Sequence, residues 1–441
     1  MFAAWKKRRE ARLKRAHGWL EVHEDRAEVS VPNQYLCPVS LDIMKDPVTL
    51  STGITYDRES IEKWLDAGNS TCPITNLELS NFDLIPNHAL RKMIQTWCVD
   101  NRSFGVERIP TPKIPVSKND VMDIHERYTT ACSRGDADEC RALMCRVRNL
   151  MKESERNKRC FFLNGTSRVF SSSFEMLANG DVQANGAVLE EIMSTLTLLR
   201  PLDEEAKIQL SSAASLNCLA MFLKGSNGDL GRRNAVLLLK EILPQNQKTS
   251  ESLEAIEGSV DALFHLINEP IFRTATKATL FIIFHILSSS SNEGEIVTKL
   301  VDLGLITSLV EMLPGADKSL CEKILAVLER ACGFEEGRRK AYDHALTIPV
   351  VVKKMHRVSP MVTDLAVGVL WSLCKNETRD EGRALVEAIQ HSAFQKLLLL
   401  LQVGCHGTTK EKTTELLKML NVYREAECID SSNFRNLERS Y

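Results

Sequence analysis

The stretch Leu36-Cys37-Pro38-Val39-Ser40-Leu41-Asp42-Ile43-Met44-Lys45-Asp46-Pro47-Val48, with its continuation to Trp97, decides the fold. Prolines recur at Pro32, Pro38, Pro47, Pro73 and Pro86, so residues 31–104 read as a loop-rich unit. Val48–Leu50 and Ile54–Tyr56 flank Ser51-Thr52-Gly53, which predicts a short hairpin. Asp57 stands at the N-cap position of a helix. Ile61, Trp64 and Leu65 share one face of that helix, and Gly68 ends it. Asn87 is placed to cap a second helix, with Leu90, Ile94 and Trp97 at helical spacing. A domain of about 70 residues has a small core and leans on metals, disulfides or buried polar networks.

Outward from this unit the texture changes. Residues 1–30 form a basic N-terminal segment. Positions 1–15 hold Lys6, Lys7, Arg8, Arg9, Arg12, Lys14 and Arg15 against Glu10, a local charge of +6. This cluster suits nuclear import or an anionic lipid surface, and the alternative is a solvated terminus. Phe2, Trp5, Leu13 and Trp19 give it a weak apolar side. The whole chain carries −2, so the body carries −8 and a bulk field for nucleic acid is excluded. Residues 105–119 contain Pro110, Pro112 and Pro115 and read as an extended linker.

Residues 120–423 are helical and repetitive. Glu293-Gly294, Glu336-Gly337 and Glu381-Gly382 each precede an amphipathic segment, at separations of 43 and 45 residues. A second marker follows each, at Gly304, Ala345 and Ser392, with Gly258 one period earlier and Gly165 two periods before that. Two markers repeating every 41–47 residues match a helical solenoid. Residues 424–441 form a polar tail. No apolar run spans a bilayer, and Met1–Lys7 does not open a secretory leader. The thirteen cysteines are spread without dense spacing, which predicts a reducing compartment, cytoplasmic or nuclear.

The order from Val31-Pro32 through Cys37-Pro38, Asp46-Pro47, Thr52-Gly53-Ile54-Thr55-Tyr56-Asp57-Arg58, Trp64-Leu65 and Cys72-Pro73 to Ile85-Pro86-Asn87-His88-Ala89-Leu90-Arg91 closely resembles the U-box. That is the E3 ubiquitin ligase domain built on the RING scaffold without zinc. With the repeats that follow, the chain resembles the plant U-box/armadillo ligases with a single N-terminal U-box. The resemblance implies a small α+β RING-like domain, then an all-α armadillo-type superhelical solenoid. It also implies E2 ubiquitin-conjugating enzyme, ubiquitin and a protein substrate as partners, in stress or defence signalling.

The ligand count agrees with a zinc-free scaffold. Two tetrahedral sites need four ligands each, and residues 31–104 offer only Cys37, Cys72, Cys98 and His88. Metal and cofactor are therefore not expected. The loops must be held by polar contacts, for which Asp42, Asp57, Arg58, Glu59 and Asn87 are candidates. By resemblance, Val39, Leu41, Trp64 and Pro73 form the shallow groove that receives E2, with Val39 and Leu41 projecting together from an extended loop. An exposed patch around an aromatic anchor suits a transient interface. The alternative places Val39, Leu41 and Trp64 in the core. Asn76 resembles the polar linchpin that touches both E2 and its thioester-linked ubiquitin, and it equally fits a plain turn at Thr75-Asn76.

No Cys/His/Asp arrangement marks a nucleophile, and no phosphate-cradling glycine loop occurs. The reading is thus a RING-type E3 ubiquitin transferase without a covalent intermediate. The repeats hold the substrate. The competing reading is a non-catalytic armadillo adaptor whose U-box serves docking or dimerisation.

Overall fold

The computed structural model describes residues 30–109, 115–225, 228–245, 247–269, 272–289, 293–377, 382–405 and 407–434, the last eleven of these by backbone alone. The basic opening, Pro110, Pro112, Glu381 and the end of the tail lie outside them. The chain divides into two compact units between residues 114 and 115.

The first unit is built on a three-stranded antiparallel sheet. Its strands are β1 (Pro47–Thr49), β2 (Thr55–Asp57) and β3 (Ile85–Pro86), in the order β2-β1-β3. Val48 faces Tyr56 across one ladder and Pro86 across the other. Gly53, at φ +79°, lets the connecting turn close through its N–H to the Leu50 carbonyl. Helix α1 (Arg58–Asp66) follows β2 directly, and α2 (His88–Asp100) follows β3. Strand β3 has no counterpart in the sequence reading. Two residues are too few to alternate, and Pro86 is tolerated because β3 lies at an edge. Tyr56, Ile61, Met44, Leu50 and Ile94 fill the core between sheet and helices.

The second unit opens with α3 (Lys118–Arg134) and α4 (Ala137–Glu153). Three-helix repeats follow. They are α5 (Glu155–Leu163), α6 (Thr166–Ala178) and α7 (Gly186–Leu196); α8 (Glu204–Leu210), α9 (Ala213–Leu223) and α10 (Gly228–Ile242); and α11 (Gln247–Ala255), α12 (Ser259–Asn268) and α13 (Arg273–Ser289). Then come α14 (Glu293–Asp302), α15 (Leu305–Met312) and α16 (Lys318–Cys332); α17 (Glu335–Asp343), α18 (Thr347–Lys354) and α19 (Pro360–Lys375); and α20 (Arg383–Gln390), α21 (Ala393–Val403) and α22 (Gly407–Phe434). The third helices α7, α10, α13, α16, α19 and α22 pack one on the next, and a single apolar core runs the length of the unit. This is the solenoid predicted by the repeat period.

The repeat markers now have physical meanings. Gly165, Gly258 and Gly304 cap second helices in the left-handed region, and Ser392 adopts the same conformation. The marker missing between Gly165 and Gly258 is Ser212, whose hydroxyl accepts the Ser215 N–H. A side-chain cap replaces the glycine there, so a search for glycine passes over it. In the next-to-last repeat the cap is Leu346, one residue after the expected Ala345. Gly294 and Gly337 lie within their helices rather than ahead of them. Beyond Tyr423, where a polar tail was expected, α22 continues as helix to Phe434.

Candidate functional site

Two loops of the first unit share one backbone design. In loop 1 an isolated bridge pairs Leu36 with Ile43, the Cys37 N–H donates to the Asp42 carbonyl, and the Leu41 N–H returns to the Cys37 carbonyl. In loop 2 the bridge pairs Thr71 with Glu78, Cys72 N–H donates to Leu77, and Asn76 N–H returns to Cys72. Leu41 (φ +64°) and Asn76 (φ +57°) occupy the equivalent left-handed position. Each turn thus closes over a cysteine. The Cys37 sulfur accepts the Asp57 N–H at 3.3 Å. The Cys72 sulfur accepts the Thr52 hydroxyl at 3.3 Å and lies 3.0 Å from the Tyr56 hydroxyl. The hairpin β1–β2 therefore anchors both loops through thiols.

Carboxylates complete the frame. The Asp57 side chain does not cap α1; its Oδ1 accepts the backbone N–H groups of Lys45 and Asp46 at 2.8 and 2.9 Å, pinning the end of loop 1. Burial pushes the Asp57 carboxyl up, against the pull of those two amides. Arg58 donates its Nε to Asp46 Oδ2 at 2.7 Å, and Arg91 from α2 donates to the other oxygen. Asn87 caps α2 by accepting the Leu90 N–H, and its own N–H donates to the Pro47 carbonyl.

Two proposed members of this network do not join it. Asp42 is exposed, and its backbone carbonyl, not its carboxylate, is what closes loop 1. Glu59 is exposed and pairs with Lys63 one helical turn on, a surface contact worth little. Asp46 and Arg91 were missed. The available signal was the Asp-Pro step at Asp46-Pro47, which ends loop 1 where strand β1 begins.

Trp64 is half-buried on α1, and its indole N–H donates to the Thr71 carbonyl at 2.7 Å. It joins the helix to loop 2 while packing against the core. Val39 is also half-buried against that core. Loop 1 is not extended: residues 38–40 turn, and Leu41 reaches its half-buried place through a left-handed backbone. Pro73 is buried beside Cys72, at the inner base of its loop, so it cannot offer the exposed surface expected of it. The exposed apolar residue there is the next one, Ile74, 42% accessible, with Leu77 farther on at 61%. Asn76 is exposed, and its left-handed backbone accounts for the residue type as a turn former.

Cys72 shows what this unit can do chemically. Burial pushes its thiol up, and hydrogen bonds from Thr52, Thr75 and Tyr56 bring it down further, to about 6. Yet the side chain is wholly buried and no acyl group can reach it. In the solenoid, burial pushes the Cys140, Cys218 and Cys332 thiols up to about 12. Among the described residues, no three His, Cys, Asp or Glu side chains gather to hold a metal, and no helix is long and apolar enough to cross a membrane. The first unit offers a rigid surface with apolar side chains on two braced loops.

Comparison with known proteins places this geometry. The family model described as the U-box domain matches residues 31–103. The model described as the plant U-box protein ARM repeat region matches residues 120–439. U-box domain-containing protein 21 of Arabidopsis thaliana is 39% identical over 421 residues, covering 95% of either chain. E3 ubiquitin-protein ligase PUB23 of the same plant is 36% identical over 415 residues, covering 91% of this chain and 96% of its own. Among solved structures, the designed armadillo repeat protein YIII(Dq)4CqI matches 56% of this chain and 99% of its own with a TM-score of 0.46 at 18% identity.

Proposed function

Because this chain belongs to the plant U-box proteins with an ARM-repeat region, we propose that it is a RING-type E3 ubiquitin transferase. The U-box recruits E2 carrying thioester-linked ubiquitin, and the repeats hold the protein substrate. The observation that carries this reading is the pair of braced loops, with Val39 and Leu41 on one, Ile74 on the other and Trp64 tying the helix between them to loop 2. Relatives of nearly equal length bear the name E3 ubiquitin-protein ligase.

No bond to this chain is needed. The substrate lysine attacks the thioester carbonyl on E2, and the E2 thiolate leaves. The ligase contributes orientation, holding a mobile donor in near-attack geometry. Asn76, exposed at the turn of loop 2, is placed as the linchpin candidate toward ubiquitin.

Discharge of preloaded E2~ubiquitin to free lysine tests the reading without a substrate. The full chain accelerates discharge, and Ile74→Ala slows it about tenfold, as truncating an interface anchor does, while thermal stability stays unchanged. Val39→Ala acts in the same direction. A panel of E2 enzymes with no acceleration by the full chain would leave the adaptor reading in its place. A second expectation concerns metal. Excess EDTA leaves discharge unchanged, because the two loops are held through hydrogen bonds to Cys37 and Cys72. A chelator-induced loss would contradict this.

The same proposal places the protein in the cytoplasm, with nucleus or membrane surface reached through residues 1–15, and in stress or defence signalling. Imaging a fluorescent fusion with and without Lys6, Lys7, Arg8 and Arg9 checks the first. Challenging plants that lack the chain checks the second.

A further inference from the structure

The row of third helices carries an uneven charge pattern. Lys277, Phe281 and His285 follow one another along a single face of α13. Lys240 of α10 stands 5.7 Å from the centre of the Phe281 ring, and Arg233 of the same helix lies 5.3 Å over Phe272. Lys323 of α16 completes the group, and all these cations are half-buried. Lys277 is matched, its ammonium 3.0 Å from both oxygens of Asp317. Glu322 accepts the Ser359 hydroxyl at 2.9 Å. Among the described residues, no ion pair engages Arg233, Lys240 or Lys323, and Arg233 Nε is buried without a hydrogen-bond partner.

Farther along the row the charges are balanced. Lys412 pairs with Glu329 at 2.8 Å and Lys375 with Glu415 at 3.0 Å. Trp371 sits under both lysines, 4.5 and 5.4 Å from its ring centre, and its indole donates to Glu415 at 2.7 Å. The unpaired charge is thus concentrated on α10 and α16, on either side of Phe281 of α13. Half-buried cations that repel one another without an ion-pair partner are costly to keep. Burial, and then Lys240, push the Lys323 ammonium down, with Lys277 adding to this and the nearby Glu322 carboxylate opposing it.

We propose that this central stretch binds a short acidic segment of a substrate protein, its carboxylates pairing with Lys240 and Lys323 while an apolar side chain lies on Phe281. The inference rests on reading the repeats as the substrate holder. A nucleic acid fits poorly. The chain carries −8 outside its first fifteen residues, and Asp317, Glu322 and Glu329 border the cations, so a long phosphate polymer meets repulsion on either side. A short segment with few carboxylates can seat them on the cations and place its apolar groups toward the bordering acids. Neighbouring third helices lie about 10 Å apart, so roughly three extended residues separate contacts on successive helices.

Fluorescence anisotropy with the full chain tests this, using a labelled dodecapeptide of Glu and Ser with a central Phe. The acidic peptide binds, more weakly as salt rises. The double substitution Lys240→Glu with Lys323→Glu lowers its affinity at least tenfold and raises affinity for the peptide with Lys in place of Glu. That exchange of preference separates charge recognition from misfolding. The milder pair Lys240→Gln with Lys323→Gln weakens the acidic peptide without gain for the basic one. Acidic-peptide binding that survives both doubles, or tighter lysine-sensitive binding of a single-stranded oligonucleotide or an anionic phospholipid vesicle, overturns the proposal. Discharge to free lysine, measured on the same preparations, separates the two readings. Absent discharge in the unaltered chain removes the ligase reading. Normal discharge without peptide binding removes the groove inference alone.

Discussion

Asp46→Ala is expected to abolish E2~ubiquitin discharge by the full chain, and to do so by unfolding the U-box rather than by removing a contact with E2. Three elements converge on this residue. Its carboxylate holds Arg58 of α1 and Arg91 of α2, its carbonyl accepts the Arg58 N–H at 2.9 Å, and its own N–H donates to Asp57. The three side chains are 20, 18 and 15% accessible. Alanine leaves Arg91 with no carboxylate and Arg58 with only its 3.8 Å contact to Glu62, both guanidinium groups largely withdrawn from water. Breaking a buried pair costs about 3–5 kcal/mol; partial exposure lowers that to about 2–4 kcal/mol. A domain of this size has only about 3–5 kcal/mol to lose.

Hydrogen exchange on the full chain reads the result. Amides of residues 31–104 lose protection in Asp46→Ala while those of the solenoid keep theirs. Asp46→Asn, which retains an acceptor for one arginine, falls between. Asp42→Ala and Glu59→Ala leave protection within experimental error, since neither carboxylate supports a loop. Full protection and full discharge in Asp46→Ala would show that the arginines are held by other means.

The contrast between Asp46 and Asp42 shows where sequence reasoning stops. Local signals were legible. Ser51-Thr52-Gly53 marked the hairpin, Asn87 marked its helix, and the glycine caps set the repeat period. Each depends on residues within a few positions of one another. The network depends on which carboxylate meets two arginines that lie 12 and 45 positions away, and nothing in the local string ranks Asp46 above Asp42. Asp57 shows the same limit from the other side. Its type and place suit an N-cap, but loop 1 recruits its side chain from outside the helix. At the site, the expected extension of loop 1 misjudged how Leu41 is reached, and Pro73 is buried beside Cys72 at the inner base of loop 2. The exposed apolar position therefore moved from Pro73 to Ile74.

Gly337→Ala carries the largest effect expected in the solenoid, and Gly368→Ala, a matched control, carries almost none. Both glycines are helical, and a Cβ added to either falls far inside van der Waals contact. What it meets differs. At Gly337, in the first turn of α17, it meets the carbonyl oxygen and carbon of Ala331, the backbone of α16. That atom cannot rotate away, so α17 must lift off α16, at a cost of about 3 kcal/mol. At Gly368 in α19 the Cβ meets the Glu329 carboxylate. This side chain is flexible and can swing aside, giving up its partly exposed pair with Lys412, worth at most about 1 kcal/mol. Alanine regains a similar amount through its better helix propensity. In urea denaturation of the full chain, Gly337→Ala lowers the midpoint and broadens the transition, as a weakened interface uncouples neighbouring repeats, whereas Gly368→Ala leaves the midpoint in place. Equal shifts in the two variants would mean that the space around a glycine, rather than the mobility of what fills it, sets the cost in this solenoid.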